Sequence, residues 1–419
     1  RINGGEVIVT FVESLSLDDD PITNLVLPVK ANESLSFVDV LEFTFDGTIT
    51  LSESLSLDDG TVLQEQFIIG NPDFKTQSGV FTFTGATATI TEGSDFDACS
   101  SAESCFFMQV STRHTGMGAT SGGTDTTNDA DDLTVHVSDL TGLTSATDDI
   151  EFTRIGTVGE QRIAWQIVEY IGSAGGPNEM KTLGTGTVTF GSASTTADGT
   201  VIVGGAADDN DVAVIITGVS NPDTGVVDMQ THSVTTEWVG ASDLPRFTRI
   251  ATGSDAVVVS YAVVEFTGKN WNLQRVTHEG VDFPDPSTET ITGVGDLSNA
   301  FVLQAQQRNA DDGASEGLCE VAEMVYLSGS NELSFDHEVG STNCGYTSLQ
   351  QEVVWVLSNS NIATGKKMIV EHQQPTDQVN TAGSEEENWQ RTINSLTYGQ
   401  DETSIFGFTA NADGTDNSH

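Results

Sequence analysis

The stretch FTRIGTVGEQRIAWQIVEYIG, residues 152–172, has a near copy 95 residues later, FTRIATGSDAVVVSYAVVEFTG, residues 247–268. Both begin with alternating Phe, Thr and Arg, which is the period-two pattern of a strand. A polar connection follows, and then an apolar run centred on Trp165 or Tyr261 that is typical of a buried strand. Each stretch therefore predicts two consecutive strands, and their recurrence predicts a repeated β-unit.

Further strand patterns surround this pair in the same order. A Gly-rich strand is predicted upstream at GVFTFTG (79–85), GTVTFGS (186–192) and GVDFPD (280–285), and apolar strands at CFFMQVS (105–111), VAVIITGV (212–219) and AFVLQAQ (300–306). A third copy ends in QQEVVWVLSN (350–359), where Trp355 takes the aromatic position. Short strands separated by turns in such units are typical of antiparallel β-sandwiches. The sequence thus predicts an all-β chain of tandem sandwiches over residues 66–183, 184–275 and 276–375.

Both ends of the chain carry further strand-like material. The motif Glu-Ser-Leu-Ser recurs every 20 residues in VESLSLDD (12–19), NESLSFVD (32–39) and SESLSLDD (52–59), inside alternating apolar positions. A 20-residue unit cannot bury its apolar face alone, so residues 1–65 are predicted to form a β-repeat arm with open edges. Residues 376–419 are predicted to form a terminal hairpin and tail.

The composition excludes some partners. Sixty-two acidic residues against 15 Lys and Arg give a formal net charge of −47. Nucleic acids and anionic membranes need a basic surface, so neither is expected as a partner. No run of 18 apolar residues is present, so membrane insertion is not expected either. The 37% hydrophobic content still suffices for a packed core.

The four cysteines fall into two local pairs, Cys99 with Cys105 and Cys319 with Cys344. The spacing lacks the tight Cys-x-x-Cys motifs of zinc sites, although reduced thiols and a metal site stay open as alternatives. We predict two disulfides, and with them an extracellular location.

No catalytic residue can be singled out from the sequence. The seven histidines are scattered, and the His-Glu-x-x-His, Gly-x-Ser-x-Gly and Walker motifs are missing from the sequence. Among so many acids no glycosidase pair stands out. We predict a protein without enzymatic activity and without a cofactor, calcium excepted.

Calcium is the one ligand that the sequence suggests. Clusters of Asp occur in the variable loop of each repeat, where their oxygens suit Ca²⁺, although ordinary solvated loops would look the same. The candidate ligands are Asp129, Asp131, Asp132, Asp208, Asp209, Asp211, Asp311 and Asp312.

Two arginines occupy the same repeat position, Arg154 and Arg249. Because each shares a strand face with an apolar residue, we predict that it lies along the sheet and pairs with an acid. Glu169 and Glu265 are the predicted partners.

At ESLSLDD and at the paired FTRI stretches the chain resembles β-repeat structural proteins of environmental microbes and their tailed viruses, such as tail-fibre, capsid-decoration and surface-filament components. The resemblance implies a structural subunit that assembles with copies of itself, and with other virion or surface proteins, into a virion component or an extracellular filament. Residues 1–65 are expected to carry the contact. The alternative is a secreted glycan-binding or adhesion protein with calcium-dependent loops, for which Trp238 and Trp271 are the loop-side aromatics.

Overall fold

The computed structural model confirms an all-β chain. Within the residues that it describes, strands form several antiparallel sheets, and the helical segments are short 3-10 turns. None of these residues forms a helix that is long and apolar enough to cross a membrane. The three ESLS motifs lie outside the described residues, which are 63–70, 73–115, 135–139, 143, 149–154, 160–220, 233–250, 252, 256–280, 287–309, 324–336, 350–360, 368–373 and 403–409.

The strands group into three units of six, with one strand before them and two after. The first strand is β1 (Leu63–Gly70). Unit 1 comprises β2 (Phe74–Phe83), β3 (Thr87–Thr91), β4 (Cys105–Thr115), β5 (Val135–Asp139), β6 (Asp149–Arg154) and β7 (Glu160–Tyr170). Unit 2 comprises β8 (Lys181–Phe190), β9 (Thr196–Asp198), β10 (Val212–Ser220), β11 (Thr235–Val239), β12 (Leu244–Thr248) and β13 (Val257–Glu265). Unit 3 comprises β14 (Trp271–Gly280), β15 (Ser287–Thr290), β16 (Ala300–Asn309), β17 (Met324–Gly329), β18 (Glu332–Asp336) and β19 (Gln350–Asn359), after which come β20 (Ile369–Gln373) and β21 (Thr403–Thr409).

The strand pairing is the same in all three units. The sixth strand lies between the first and the third, in the orders β2–β7–β4, β8–β13–β10 and β14–β19–β16. The fifth strand lies between the second and the fourth, in the orders β3–β6–β5, β9–β12–β11 and β15–β18–β17. A pairing between β5 and β10 joins one sheet of unit 1 to one sheet of unit 2.

In unit 1 the two sheets share one apolar core. Phe107 of β4 and Ile163 of β7 belong to one sheet, Ile150 and Phe152 of β6 belong to the other, and all four side chains are buried in one cluster. The rings of Phe107 and Phe152 are 5.8 Å apart. Two sheets that pack face to face around a common core give the fold a β-sandwich-like character.

The sixth strands carry an aromatic residue at the same register. Trp165 of β7 lies opposite Gly79 of β2, and Tyr261 of β13 lies opposite Gly186 of β8. A Cβ atom on Gly79 would come within 2.6 Å of the Trp165 ring, and one on Gly186 within 2.9 Å of the Tyr261 hydroxyl. Glycine therefore recurs on the first strand because the aromatic ring folds over the neighbouring backbone.

Unit 3 uses a different residue at this position. Arg275 of β14 lies opposite Trp355 of β19, and its guanidinium carbon is 6.0 Å from the centre of the Trp355 ring. The sequence comparison that aligned Gly280 with the two glycines was wrong, because Gly280 pairs with Gln350 at the end of the strand. The predicted burial of Trp165 and Trp355 is confirmed.

A further sheet is built from both ends of the described chain. Its order is β20–β1–β21, with both pairings antiparallel. β1 runs across the predicted boundary between residues 65 and 66, and β21, from the predicted terminal hairpin, has β1 as its partner. This sheet lies beside units 1 and 3, since β21 contacts β4 and β17, and β20 contacts the 3-10 turn before β16.

The disulfide between Cys99 and Cys105 is confirmed. It closes the connection that contains the 3-10 turn Ala102–Ser104 and leads into β4. Cys319 and Cys344 lie outside the described residues, so their disulfide stays a prediction.

Candidate functional site

The Asp-rich turn of unit 2 is held together by its own side chains and by a tryptophan. Asp208 precedes the 3-10 turn Asp209–Asp211, and its Oδ1 accepts a hydrogen bond from the Asn210 N–H (3.0 Å). Asp209 Oδ1 accepts one from Trp238 Nε1 (2.8 Å). Trp238 lies within strand β11 rather than in a loop, so its predicted loop-side position was wrong, but its indole is hydrogen-bonded to the acidic turn.

Asp211 is the electrostatically strained member of this turn. Burial raises the pKa of its carboxyl, and the charges of Asp208 and Glu265 raise it further. Among the described residues, no three His, Cys, Asp or Glu side chains are grouped so that they could hold a metal ion. The other five predicted ligands, Asp129, Asp131, Asp132, Asp311 and Asp312, lie outside the described residues, and calcium binding stays a prediction.

Arg154 is fully buried at the end of β6. Its Nε donates to the Gly85 carbonyl (2.9 Å), and its backbone N–H donates to the Ala86 carbonyl (2.9 Å). The guanidinium carbon lies 5.2 Å from the centre of the Phe83 ring. Carbonyl dipoles and an aromatic face therefore stabilise the buried cation.

Arg249 repeats this arrangement in unit 2. Its Nε donates to the Ser194 carbonyl and its Nη2 to the Gly191 carbonyl, both at 2.9 Å. The guanidinium carbon lies 5.1 Å from the centre of the Phe190 ring. Both arginines thus clamp the connection between the first two strands of their unit.

The predicted acidic partners of these arginines were wrong. Glu169 accepts a hydrogen bond from the Ser100 N–H (2.6 Å). Glu265 accepts from the N–H groups of Ala207 (2.6 Å) and Asp208 (2.9 Å). Each acid lies at the end of a sixth strand, in the sheet opposite its arginine, and holds the loop that leads into the third strand.

His278 connects the two sheets of unit 3. Its Nδ1 is 2.9 Å from Glu289 Oε1, its Nε2 is 3.0 Å from Ser287 Oγ, and its ring stacks on Phe335 with 4.2 Å between centres. The order of serine, imidazole and carboxylate is that of a hydrolytic triad. Because His278 and Ser287 are each only 5% exposed, a substrate cannot reach the hydroxyl while the sheets stay packed. The geometry fits a clamp between β14 and β15.

Units 1 and 2 are fastened by buried polar groups where β5 meets β10. The Val137 N–H donates to Ser260 Oγ (3.0 Å), and His136 Nδ1 is hydrogen-bonded to Ser220 Oγ. Burial lowers the pKa of His136, although the charge of Glu151 opposes this, so the ring is neutral at pH 7. A neutral imidazole can be buried between two units at little cost.

Units 2 and 3 are fastened by two glutamines of β16. Gln304 accepts from the Ile216 N–H through Oε1 and donates to the Ile216 carbonyl through Nε2, both at 2.8 Å. Gln306 accepts from the Thr236 N–H (2.8 Å) and donates to the Val214 carbonyl (2.9 Å). The side-chain amides pair with the neighbouring unit as a further strand would.

A fully buried cluster of four polar side chains joins all three units, and we call it the junction cluster: Asp73, Asn178, Asn270 and Asn359. Asn178 Nδ2 donates to Asp73 Oδ2 (2.8 Å). Asn178 Oδ1 accepts from Asn270 Nδ2 (2.9 Å) and from Asn359 Nδ2 (3.0 Å). Asp73 precedes β2, Asn178 follows β7, Asn270 precedes β14 and Asn359 ends β19. The side-chain amide of Asn178 therefore connects the boundaries of all three units.

Backbone hydrogen bonds reinforce the junction cluster. The Ile171 N–H donates to the Asp73 carbonyl (2.8 Å), the Asn270 N–H to the Pro177 carbonyl (2.9 Å) and the Ser360 N–H to the Asn270 carbonyl (2.7 Å). The connections between units are therefore held at both the backbone and the side-chain level.

Aromatic packing covers the same junctions. Trp271 packs edge-on against Phe74 at 6.0 Å and against Phe266 at 5.5 Å. It is thus a contact between units rather than the loop-side aromatic that the sequence suggested. Burial raises the pKa of Tyr170 to about 12, and the Asp73 and Glu179 carboxylates contribute to this shift.

The sequence matches none of the protein-family models and none of the curated proteins with which it was compared. The structural features that sequence reasoning missed are the junction cluster and the glutamine contacts. Asn and Asp between strands resemble ordinary turn residues in a sequence. These residues differ from ordinary turn residues only because several connections between strands come together and bury their side chains.

Replacing Asn178 by Ala tests the junction cluster. We expect the free energy of unfolding to fall by about 3 kcal/mol or more, because each buried polar group left without a partner costs about 1–3 kcal/mol. Calorimetry measures the change, and the exposed Asn331→Ala is the control. A loss of the same small size in both variants would contradict the assigned role.

Replacing Asp211 by Asn tests the electrostatics of the acidic turn. Because the pKa of Asp211 is raised in the folded protein, its charge opposes folding at neutral pH, and this opposition vanishes as the pH falls through that pKa. We expect a higher Tm than native at pH 7 and no gain in acid, measured by circular dichroism. The control Asp208→Ala removes the acceptor of the Asn210 N–H and lowers the Tm. If calcium binds at this turn, it raises the Tm of the native chain and not that of Asp211→Asn. Without calcium, an unchanged or lower Tm for Asp211→Asn would show that the Asp211 charge does not destabilise the fold.

Proposed function

We propose that the chain is a non-enzymatic structural subunit that self-assembles into a virion component or an extracellular filament. On this proposal its units are tandem β-sandwich modules, preceded by the β-repeat arm of residues 1–65. Copies of the same chain are the principal partner, and the assembly is extracellular, where the Cys99–Cys105 bond is stable.

The observation that carries this proposal is the fastening between units. An assembly subunit must hold its modules at fixed angles, because small changes of angle accumulate along a polymer. Here Asn178 alone bonds to residues at three other unit boundaries. Modules joined by mobile linkers would have no use for such a buried network.

The charge of the chain sets conditions for assembly. A net charge of −47 makes copies repel one another at low ionic strength. Salt shortens the range of this repulsion to about 10 Å at 0.1 M and about 3 Å at 1 M. We therefore propose that assembly proceeds through apolar and main-chain contacts and is promoted by salt.

One observation favours the second candidate, an adhesion or glycan-binding protein. Trp238 is only partly buried and donates its indole N–H to Asp209 of the acidic turn. An aromatic ring beside oxygen ligands is the arrangement that a calcium-dependent sugar site would use. Binding of calcium and of glycans by the native chain, with loss of both in Trp238→Ala, would favour this candidate.

Deleting residues 1–65 tests the proposed function. We expect the truncated chain to fold into its sandwich units, with native-like strand content by circular dichroism, and to stay unassembled. Sedimentation and electron microscopy at high salt measure assembly, and the full chain is the control. Assembly of the truncated chain as complete as that of the full chain would refute a role of this segment in the subunit contact.

A further inference from the structure

In the sheet β20–β1–β21 the two outer strands come from the C-terminal part of the described chain, but the central strand does not. In units 1 to 3 the middle of the corresponding sheet is filled by the sixth strand of the same unit. β20 comes directly after unit 3 in the chain, as β8 comes after unit 1 and β14 after unit 2, and so corresponds to a first strand. β21 lies on the other side of the central strand, in the position that a third strand takes in each unit. The middle place is taken by β1, whose residues come some 300 positions earlier in the chain.

β1 and β20 are joined to different parts of the molecule, while β21 contacts both unit 1 and unit 3. β1 is separated from β2 by only residues 71–73, and Asp73 is held in the junction cluster. β20 is anchored to unit 3 through the 3-10 turn Leu297–Asn299. The pairing between them needs no covalent continuity, so any copy of β1 makes the same hydrogen bonds.

We propose that β1 of one copy fills the place between β20 and β21 of another copy, so that subunits link head to tail by strand exchange. This inference rests on the proposed self-assembly and adds a contact to the one expected of residues 1–65, because only Leu63, Gln64 and Glu65 of β1 belong to that segment. Strand addition supplies main-chain hydrogen bonds on both edges of the inserted strand. Each copy offers one donor strand and one acceptor sheet, and such a heterologous contact continues without limit unless it closes into a ring.

The chemistry of the strand suits contact between strongly acidic copies. The centre of β1 is the apolar run Phe67, Ile68 and Ile69. In the antiparallel register Phe67 lies opposite Phe406, and Ile68 opposite Ile405. Apolar pairs placed across an antiparallel ladder stabilise it without bringing like charges together.

Exchange leaves the local contacts unchanged. The sheet, the register and the acceptor strands are the same whether β1 comes from its own chain or from a neighbour. The difference lies only in which copy contains the Asp73 that follows the inserted β1. Exchange of an identical element through a short hinge is a low-cost route to association, and a short hinge favours it.

Cysteine pairs across β1 and β20 distinguish the two cases. Gln66 and Gln373 are register partners, so Gln66→Cys and Gln373→Cys are placed in two separate chains that carry tags of different size. The chains are co-expressed, assembled at high salt and oxidised. A disulfide between them can form only when β1 of one copy meets β20 of the other. We expect a covalent heterodimer on non-reducing gels, and a ladder of multimers from the chain that carries both substitutions.

The control pair lies within unit 3. Thr290 and Glu332 are register partners on β15 and β18, and both are exposed. Thr290→Cys and Glu332→Cys in separate chains should give no heterodimer, while together in one chain they close within that chain.

Two outcomes overturn the proposal. In the first, the chain with both Gln66→Cys and Gln373→Cys forms only an internal disulfide, and the mixed single variants stay unlinked, although electron microscopy shows polymers. The proposed function then stands without strand exchange. The second is the same gel result without polymers, which removes the proposed function as well.

Discussion

The structure depends on one constraint, which is that the central strand of each sheet pairs with a neighbour along both of its edges. In none of the three units, as far as the structure describes them, does the first strand pair with the third. Each pairs with the sixth strand between them, and β10 pairs in addition with β5 of unit 1. The described residues of the sixth strands are accordingly buried along nearly their whole length, and each strand has an apolar centre. Removing such a strand would leave two rows of backbone donors and acceptors without partners, which no folded sheet tolerates.

The same constraint links the fold to the proposed function. The final sheet obeys the rule of the units, but its middle strand comes from the opposite end of the described chain. Meanwhile the junction cluster fixes the three complete units to one another through Asn178. On the proposed function, the three units supply a rigid body, and β1 with the sheet between β20 and β21 supplies the contact between subunits.

The first, third, fifth and sixth strands of units 1 and 2 could be predicted from the sequence because their apolar patterns recur, whereas the short second and fourth strands could not. The Cys99–Cys105 bond could be predicted because its partners are neighbours in the chain. The partners of Arg154 and Arg249 could not, since they are backbone carbonyls that no side-chain pattern reveals. The register that places Arg275 opposite Trp355 could not be predicted either, because unit 3 has no glycine at that position to mark it. Likewise, nothing local in residues 63–70 indicates that their partners lie beyond residue 368.

Cryo-electron microscopy of the assembled protein tests the central claim most directly, through the path of the backbone between β1 and β2. The account predicts that the strand between β20 and β21 continues through residues 71–73 into unit 1 of a neighbouring subunit. Density that continues instead into unit 1 of the same subunit, at every position of the assembly, would contradict it.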